Sequence, residues 1–399
     1  MVSQRLSSFG TTIFAETTAL AAKHHAINLA QGFPDFDGPA FVKDAAIAAM
    51  NEGRNQYART QGVPALNQAI ADSFKASSGM SVDPDLQVTV TSGCTEALPA
   101  TFLGLINPGD EVILFEPFYD SYRACVELAG ARPRFVTLVP GPRGEFVFDE
   151  NELRRAFAPF NGKFPRAIVL NTPHNPTGKV FTQNELLVIA RLCVEHDVIA
   201  IVDEVYEKLT FDPLLPHLHL ATFPGMAERT VTLSSLGKTF SLTGWKVGWA
   251  IASPELSKGV RAAHQFLTFA TATPLQYGAA VALRDGGEYI AELVTSYGAS
   301  RDFLAAALTD AGFTVYSPSG TYFIMADISN LLARLQGKGL TDDVSFCRWM
   351  TMELNVAAIP PSVFYENKQH GSRLVRFAFC KKQETLELAR QRLSALRAM

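Results

Sequence analysis

The sequence predicts an α/β fold built on a mostly parallel sheet, and three observations carry that prediction. Short apolar runs rich in β-branched residues recur at Val88–Thr91, Val112–Phe115, Ala167–Leu170, Val198–Val202, Val231–Leu233 and Val247–Ile251. They are continuous rather than alternating, as strands covered on both faces are. Amphipathic stretches separate them: in Gln183–Glu195, Leu186, Leu187, Ile189, Ala190, Leu192 and Cys193 fall at helical spacing. Strands alternating with helices imply parallel crossovers. Third, most of the runs end in a cluster of polar, aromatic or small residues.

Those clusters are Ser92–Ala97, Glu116–Tyr119, Asn171–Gly178, Asp203–Tyr206 and the turn that carries Lys238. Open parallel sheets bind ligands at the carboxyl ends of their strands. Five clusters at five such ends are expected to converge on one cleft.

With 399 residues, 47% hydrophobic and 19% charged, the chain is long enough for a large core and a second lobe. The lobe is expected to begin near Asp285, where Asp285-Gly286-Gly287 breaks the pattern. A helix from Tyr289 to about Ala311 and strands at Phe313–Tyr316, Tyr322–Ala326 and Val375–Phe379 follow. The expected division is 1–44, an N-terminal arm and part of the small domain; 45–285, the large domain; and 286–399, the small domain. A net charge of −4 without a long basic run gives no reason to expect a nucleic-acid partner. Five scattered cysteines without a Cys-x-x-Cys motif fit free thiols in a reducing compartment. The N-terminus carries Arg5 but no apolar core ahead of a cleavage site, and no uncharged run is long enough to span a bilayer. A cytoplasmic protein without a membrane partner is expected.

The most informative segment is Ser234-Ser235-Leu236-Gly237-Lys238-Thr239, followed by Thr243-Gly244-Trp245-Lys246. Lys238 sits on a turn of small residues, open to a ligand, with hydroxyls and a second cation close by. Lysine is the side chain whose amine forms a Schiff base with an aldehyde, which points to pyridoxal phosphate. Competing readings are weaker. A P-loop needs another glycine five residues before Gly237, where Thr232 stands. Ser235-Leu236-Gly237-Lys238 fits Ser-x-x-Lys, but its companion motifs are absent. A surface loop with two solvated lysines would suffice for Gly-Lys-Thr alone; the other four clusters argue against it.

Each part of that cofactor calls for a different group. Its phosphate suits the amides of Gly93, Cys94 and Thr95 at a helix N-terminus, with the Ser235 hydroxyl and Lys246; an ordinary N-cap is the plain alternative. The ring nitrogen needs a carboxylate, and Asp203 follows five apolar residues, where a charge is costly unless paired. Tyr206 and Asn175 are candidate donors to the phenolic oxygen, although Asn175-Pro176-Thr177-Gly178 also reads as a turn. Tyr119 can cover the ring face, with Phe118 expected in the core. Arg376, inside the apolar run Leu374–Phe379, is the candidate clamp for a substrate carboxylate. Gly32 would let the backbone approach the same carboxylate.

With these segments in view, the chain resembles the class I/II aminotransferases of the fold-type-I pyridoxal phosphate superfamily. It looks most like the branch holding kynurenine, methionine and N-succinyldiaminopimelate aminotransferases. The resemblance runs through Asn28–Phe36, Asn55-Gln56-Tyr57, Ser92–Leu98, Glu116–Tyr119, Asn171–Gly178, Asp203–Tyr206, Ser234–Trp249 and Val375–Lys381. It implies a ping-pong exchange of an amino group between an L-amino acid and a 2-oxo acid, with the covalent site on Lys238, the ring carboxylate on Asp203 and the clamp on Arg376. It also implies a homodimer with shared sites, in which Tyr57 reaches the phosphate of the neighbouring subunit.

The resemblance implies that members acting on aspartate hold its distal carboxylate with a second arginine from the partner subunit; the equivalent stretch here, His264–Thr271, carries aromatics and no arginine. That favours an aromatic, kynurenine, methionine or glutamine side chain over a short diacid. Arg59 or Arg123 reaching the pocket would instead make an N-succinylated diamino acid the substrate, and cysteine-conjugate β-lyase chemistry is a further alternative on the same scaffold. No metal site is expected: His217 and His219 lack a third ligand at suitable spacing and read as loop residues. His174 is expected to line the cleft without a catalytic role.

Overall fold

In a computed structural model, the structure describes residue 7 and residues 9–399; residues 1–6 and 8, Arg5 among them, lie outside that description. Seven strands form the central sheet: β1 (Val88–Thr91), β2 (Glu111–Glu116), β3 (Arg132–Thr137), β4 (Ala167–Asn171), β5 (Ile199–Asp203), β6 (Thr230–Ser235) and β7 (Gly248–Ala252). Their order across the sheet is β1-β7-β6-β5-β4-β2-β3. β7 runs antiparallel to both β1 and β6, and the remaining pairs are parallel. Because β7 alone is reversed, β1 points the same way as β6, and six strands end at one edge. Every residue of β1, β4, β5 and β7 is buried, which explains why their sequences are apolar without alternation.

The helix Gln183–Glu195 begins and ends where its periodicity places it. Thr182 and Glu185 form a reciprocal capping box: Glu185 N–H donates to Thr182 Oγ1 at 3.3 Å, and Thr182 N–H donates to Glu185 Oε2 at 2.8 Å. β3 is the strand the apolar pattern did not show. It lies at the edge of the sheet, pairs with β2 alone and contains Arg132, Pro133 and Arg134. An edge strand tolerates proline and charge that a central strand excludes.

A second sheet lies towards the C-terminus. β8 (Thr314–Tyr316), β9 (Phe323–Asp327) and β10 (Leu374–Ala378) pair antiparallel in the order β8-β9-β10, after the long helix Gly287–Ala311. The N-terminal segment joins this part of the molecule. Ile27–Asn28 pair in parallel with Val356–Ala357, and Ala378 N–H donates to the Leu29 carbonyl at 2.7 Å. These contacts bring Ala30–Gly32 alongside β10 and Arg376. Among the described residues no helix is long and apolar enough to cross a membrane.

Candidate active site

The five strand-end clusters meet in one cavity at the carboxyl edge of the large sheet. Gly93, Cys94, Thr95, Tyr119, Tyr122, Asn171, Asn175, Asp203, Tyr206, Ser235, Lys238 and Lys246 all line it. Some of the residues singled out from sequence are not in that lining. Gly32 and Arg376 stand next to it, and Tyr57 projects from the surface, 87% exposed.

Backbone geometry explains the floor. Gly93 precedes the helix Cys94–Leu105, whose first amides face the cavity. β7 passes so close beneath that a Cβ on Gly248 would lie 2.5 Å from the Cys94 nitrogen; only glycine fits there. Lys246 returns over this turn and its Nζ donates to Thr95 Oγ1 at 3.1 Å. The helix start is held by Glu96, which is buried. Glu96 accepts from Ser92 N–H at 2.5 Å, from Thr268 Oγ1 at 2.6 Å, and lies 2.6 Å from His264 Nδ1. His264 is therefore tied to the scaffold. Phe266 and Phe269 of the same stretch point outward, 85% and 43% exposed, and Phe269 packs edge-on against Tyr57.

Asp203 ends β5 and is buried. Burial pushes its carboxyl above the ordinary range, against the pull of the Tyr122 hydroxyl at 2.8 Å and the Val205 N–H at 3.2 Å. Asn171 braces it from β4, donating through Nδ2 to the Asp203 carbonyl at 2.8 Å. Among the described residues Asp203 has no cation within ion-pair distance; a buried carboxylate in that position is suited to a cationic ligand. Tyr122 and Asn171 are contributors that the sequence did not reveal. Tyr122 lies one helical turn past Tyr119 and resembles a core aromatic, and Asn171 depends on the register of β4 against β5.

Lys238 projects from the short helix Leu236–Thr239. Its Nζ lies 3.4 Å from the Gly32 carbonyl and 5.8 Å from the ring centres of both Tyr206 and Tyr322. Burial pushes the amine below the ordinary lysine range, and Asp203 opposes this only in part. Such an amine yields its proton more readily than an exposed one, which is what a nucleophile or base needs. Tyr206 is buried and raised well above the ordinary phenol range by that burial, so its hydroxyl keeps its proton and can donate. Burial likewise pushes Tyr119 up to about 12. Phe118 lies in the core, stacked on Phe135 at 5.7 Å.

Arg376 is 2% exposed on β10. Nη1 donates to Asn175 Oδ1 at 3.0 Å and Nη2 to the Ala30 carbonyl at 2.8 Å, while the buried Nε has no hydrogen-bond partner. The guanidinium lies over Phe323 at 4.1 Å. Burial pushes Arg376 down to about 10, so it stays charged at neutral pH. Among the described residues it makes no ion pair, which fits a carboxylate arriving from a ligand. Gly32 is required here for a different reason from the one expected. A Cβ would stand 2.6 Å from the Phe323 ring, and the Gly32 carbonyl accepts from the Tyr322 hydroxyl at 2.6 Å.

Other expectations need correction. Arg59 pairs with Asp85 at 3.0 Å, and Arg123 pairs with Glu127 at 3.0 Å and Glu366 at 2.6 Å. Both guanidiniums are already engaged outside the cavity. His174 does not line the cleft; it is buried, its Nδ1 lies 2.8 Å from Thr177 Oγ1, and burial pushes it down to about 3. The two loop histidines do have a third companion: Glu204, distant in sequence, stands beside His217 and His219.

Comparison with known proteins agrees with this arrangement. The family described as Aminotransferase class I and II matches residues 24–393. The solved structure of N-succinyldiaminopimelate aminotransferase from Mycobacterium tuberculosis is 46% identical, with a TM-score of 0.93, covering 99% of this chain and 100% of that one. Methionine aminotransferase of Escherichia coli K12 is 40% identical over 98% of this chain and 97% of its own length. Human kynurenine–oxoglutarate transaminase 3 is 40% identical over 98% of this chain and 89% of its own length. The chain belongs to the class I and II aminotransferases and is a pyridoxal-phosphate-dependent transferase of fold type I.

Proposed function

We propose that the enzyme exchanges the amino group between an L-amino acid of aromatic, kynurenine, methionine or glutamine type and a 2-oxo acid, in two half-reactions. The observation that carries this reading is a buried amine and carboxylate (Lys238 and Asp203) lining one cavity and a buried guanidinium (Arg376) beside it, with no ion pair linking them. Pyridoxal phosphate bound there supplies an aldehyde that takes up the amino group and a cationic ring that draws electrons from the α-carbon. The first amides of the helix at Gly93, Cys94 and Thr95, the Ser235 hydroxyl and Lys246 hold its phosphate. Tyr119 covers the ring, Asp203 keeps the ring nitrogen protonated, and Tyr206 donates to the phenolic oxygen. Asn175 joins the two halves of the site: its Oδ1 accepts from Arg376, leaving Nδ2 free to donate to that phenolic oxygen. Lys238 Nζ would take the proton from the substrate α-carbon and pass it to the cofactor's aldehyde carbon, with the reverse transfer in the second half-reaction. Arg376 orients the α-carboxylate, beside the Gly32 backbone.

Replacing Arg376 by lysine is expected to lower kcat/KM by about 100-fold, mostly through KM, because a point charge cannot make the paired contact. Steady-state kinetics should show a similar loss for every amino acid tested, since all carry the α-carboxylate.

The engagement of Arg59 and Arg123 in ion pairs supports an apolar or uncharged substrate side chain. A second reading, N-succinyldiaminopimelate as amino donor, is favoured by the 46% identity to the mycobacterial enzyme of that name. A panel of amino donors separates the two. Faster turnover of methionine, phenylalanine, kynurenine or glutamine is expected; faster turnover of N-succinyldiaminopimelate would replace the first reading with the second.

The same reading makes the enzyme a cytoplasmic homodimer, with Tyr57 of the partner subunit reaching the phosphate. Tyr57, Phe266 and Phe269 form an exposed aromatic surface that a second copy would cover. A sedimentation mass of twice the 43.4 kDa chain is expected; a monomer active at the same specific rate contradicts shared sites. The two sheets support a division into 1–44, an N-terminal arm and part of the small domain; 45–285, the large domain; and 286–399, the small domain.

A further inference from the structure

Glu204 follows Asp203 but faces away from the cavity, into a pocket that the proposed chemistry does not use. There it meets His217 and His219 from the loop after β5, and one ligand-type atom from each residue lies within 4.8 Å of the other two. Glu204 Oε2 is 2.6 Å from His219 Nδ1 and 3.4 Å from His217 Nε2. All three side chains are at least nine-tenths buried. The His217 ring is the unusual member, because neither of its nitrogens has a hydrogen-bond partner, and Glu204 Oε1 has none either. Burying three such polar atoms unpaired is costly. His219 is better placed, with Nε2 2.9 Å from Ser77 Oγ. Next to Glu204 and His219 lies a cavity of about 10 Å³, room for one water-sized body, also lined by Thr232, whose Oγ1 is unpartnered.

We propose that Glu204, His217 and His219 form a binding site for a divalent transition-metal ion of the zinc type, separate from the cofactor site. Two imidazoles and one carboxylate, with a water as fourth ligand, are an established donor set for such an ion. Bonds of 2.0–2.1 Å in a tetrahedron put neighbouring ligand atoms roughly 3.3 Å apart. The His217–Glu204 distance of 3.4 Å already has about that value, the His219–Glu204 pair needs to open by about 0.7 Å, and the two histidine nitrogens, within 4.8 Å, need to close to it. The ion would take one of the two unpartnered His217 nitrogens, and the small cavity would take the water. Ser77 would hold the outer nitrogen of His219, the supporting contact that metal-bound histidines commonly make. The ion would tie the loop carrying both histidines to the residue beside Asp203. Burial alone would raise Glu204, but the two histidines outweigh it and hold the carboxyl low; burial would lower His219, but Glu204 outweighs it and holds the imidazole high.

The test uses holoenzyme dialysed against a chelator and titrated with ZnCl2 by calorimetry, and with CoCl2 by visible absorption. One ion per chain is expected to bind saturably, with the absorption of four-coordinate Co2+ and a raised unfolding temperature. Glu204→Gln, which keeps the side-chain shape, and His217→Gln should each weaken binding at least about 100-fold. His24→Gln combined with His25→Gln, which removes two adjacent histidines outside the site, one half-buried and one exposed, should leave it unchanged. No saturable binding to the folded wild-type enzyme overturns the proposal. So does binding that survives both Glu204→Gln and His217→Gln, or binding that disappears with the His24/His25 variant.

Discussion

Lys238→Ala is expected to reduce multiple-turnover transamination by at least about 10⁴-fold, the upper range for removal of a single acid–base group. Two demands fall on this one amine: it must bond the cofactor, and it must move the substrate proton. The neighbouring lysines are placed to do neither. Lys246 Nζ is held by Thr95, and Lys381 Nζ donates to the Phe33 carbonyl at 2.7 Å. The loss should therefore not be rescued from within the site. The variant should fold, because alanine removes a buried amine without leaving a buried charge unpaired. Retained cofactor, seen by its visible absorption in the presence of excess pyridoxal phosphate, together with lost turnover, separates a chemical defect from unfolding. Multiple turnovers within tenfold of the wild-type rate would remove Lys238 from its role.

Asp203→Asn is expected to lower kcat by roughly 10²–10³-fold, the usual effect of removing one preorganised electrostatic contact. The same change should stabilise the cofactor-free protein, and the sign follows from burial. Asp203 is pushed above its ordinary value of 3.8 in the folded chain. A carboxyl in that state binds its proton more tightly folded than unfolded. The cofactor-free wild type therefore loses stability as pH rises from about 4 through the raised value. Asparagine cannot ionise and is free of this loss, while its Oδ1 still accepts from Tyr122 or Val205. Unfolding temperatures of the two cofactor-free proteins should coincide near pH 4 and diverge towards pH 7, with the variant higher. Saturating cofactor should close the gap, since a cationic ring offsets the carboxylate in the wild type alone. A variant that is less stable than the wild type at every pH would mean that Asp203 serves packing rather than a cationic ligand.

Much of the fold was legible because burial on both faces leaves a plain mark in sequence. β1, β4, β5, β6 and β7 are continuous apolar runs, and the structure finds each within a residue or two of its expected limits. β3 was not legible, since an edge strand is free to carry Arg132, Pro133 and Arg134. The reversal of β7 was also hidden, because direction leaves no periodicity. For the site, the residues following strand ends were readable as a convergent set, and they do line one cavity. What sequence could not give were contacts set by register or by loop path. Tyr122 on Asp203 and Asn171 beneath it depend on how helices and strands are staggered. The ion pair of Arg123 with Glu366, far along the chain, is likewise set by loop path rather than by spacing. Glu204 joining His217 and His219 is the same kind of event, since no spacing rule links a strand end to a loop that folds back over it.

The most direct measurement is peptide mapping of holoenzyme reduced with borohydride, which fixes the cofactor wherever it is bonded. Mass spectrometry should find the pyridoxyl group on the peptide that carries Lys238, in a one-to-one ratio with the chain. An adduct on Lys246, Lys381 or any other lysine, or no adduct in enzyme that was active before reduction, would contradict the assignment on which the site rests.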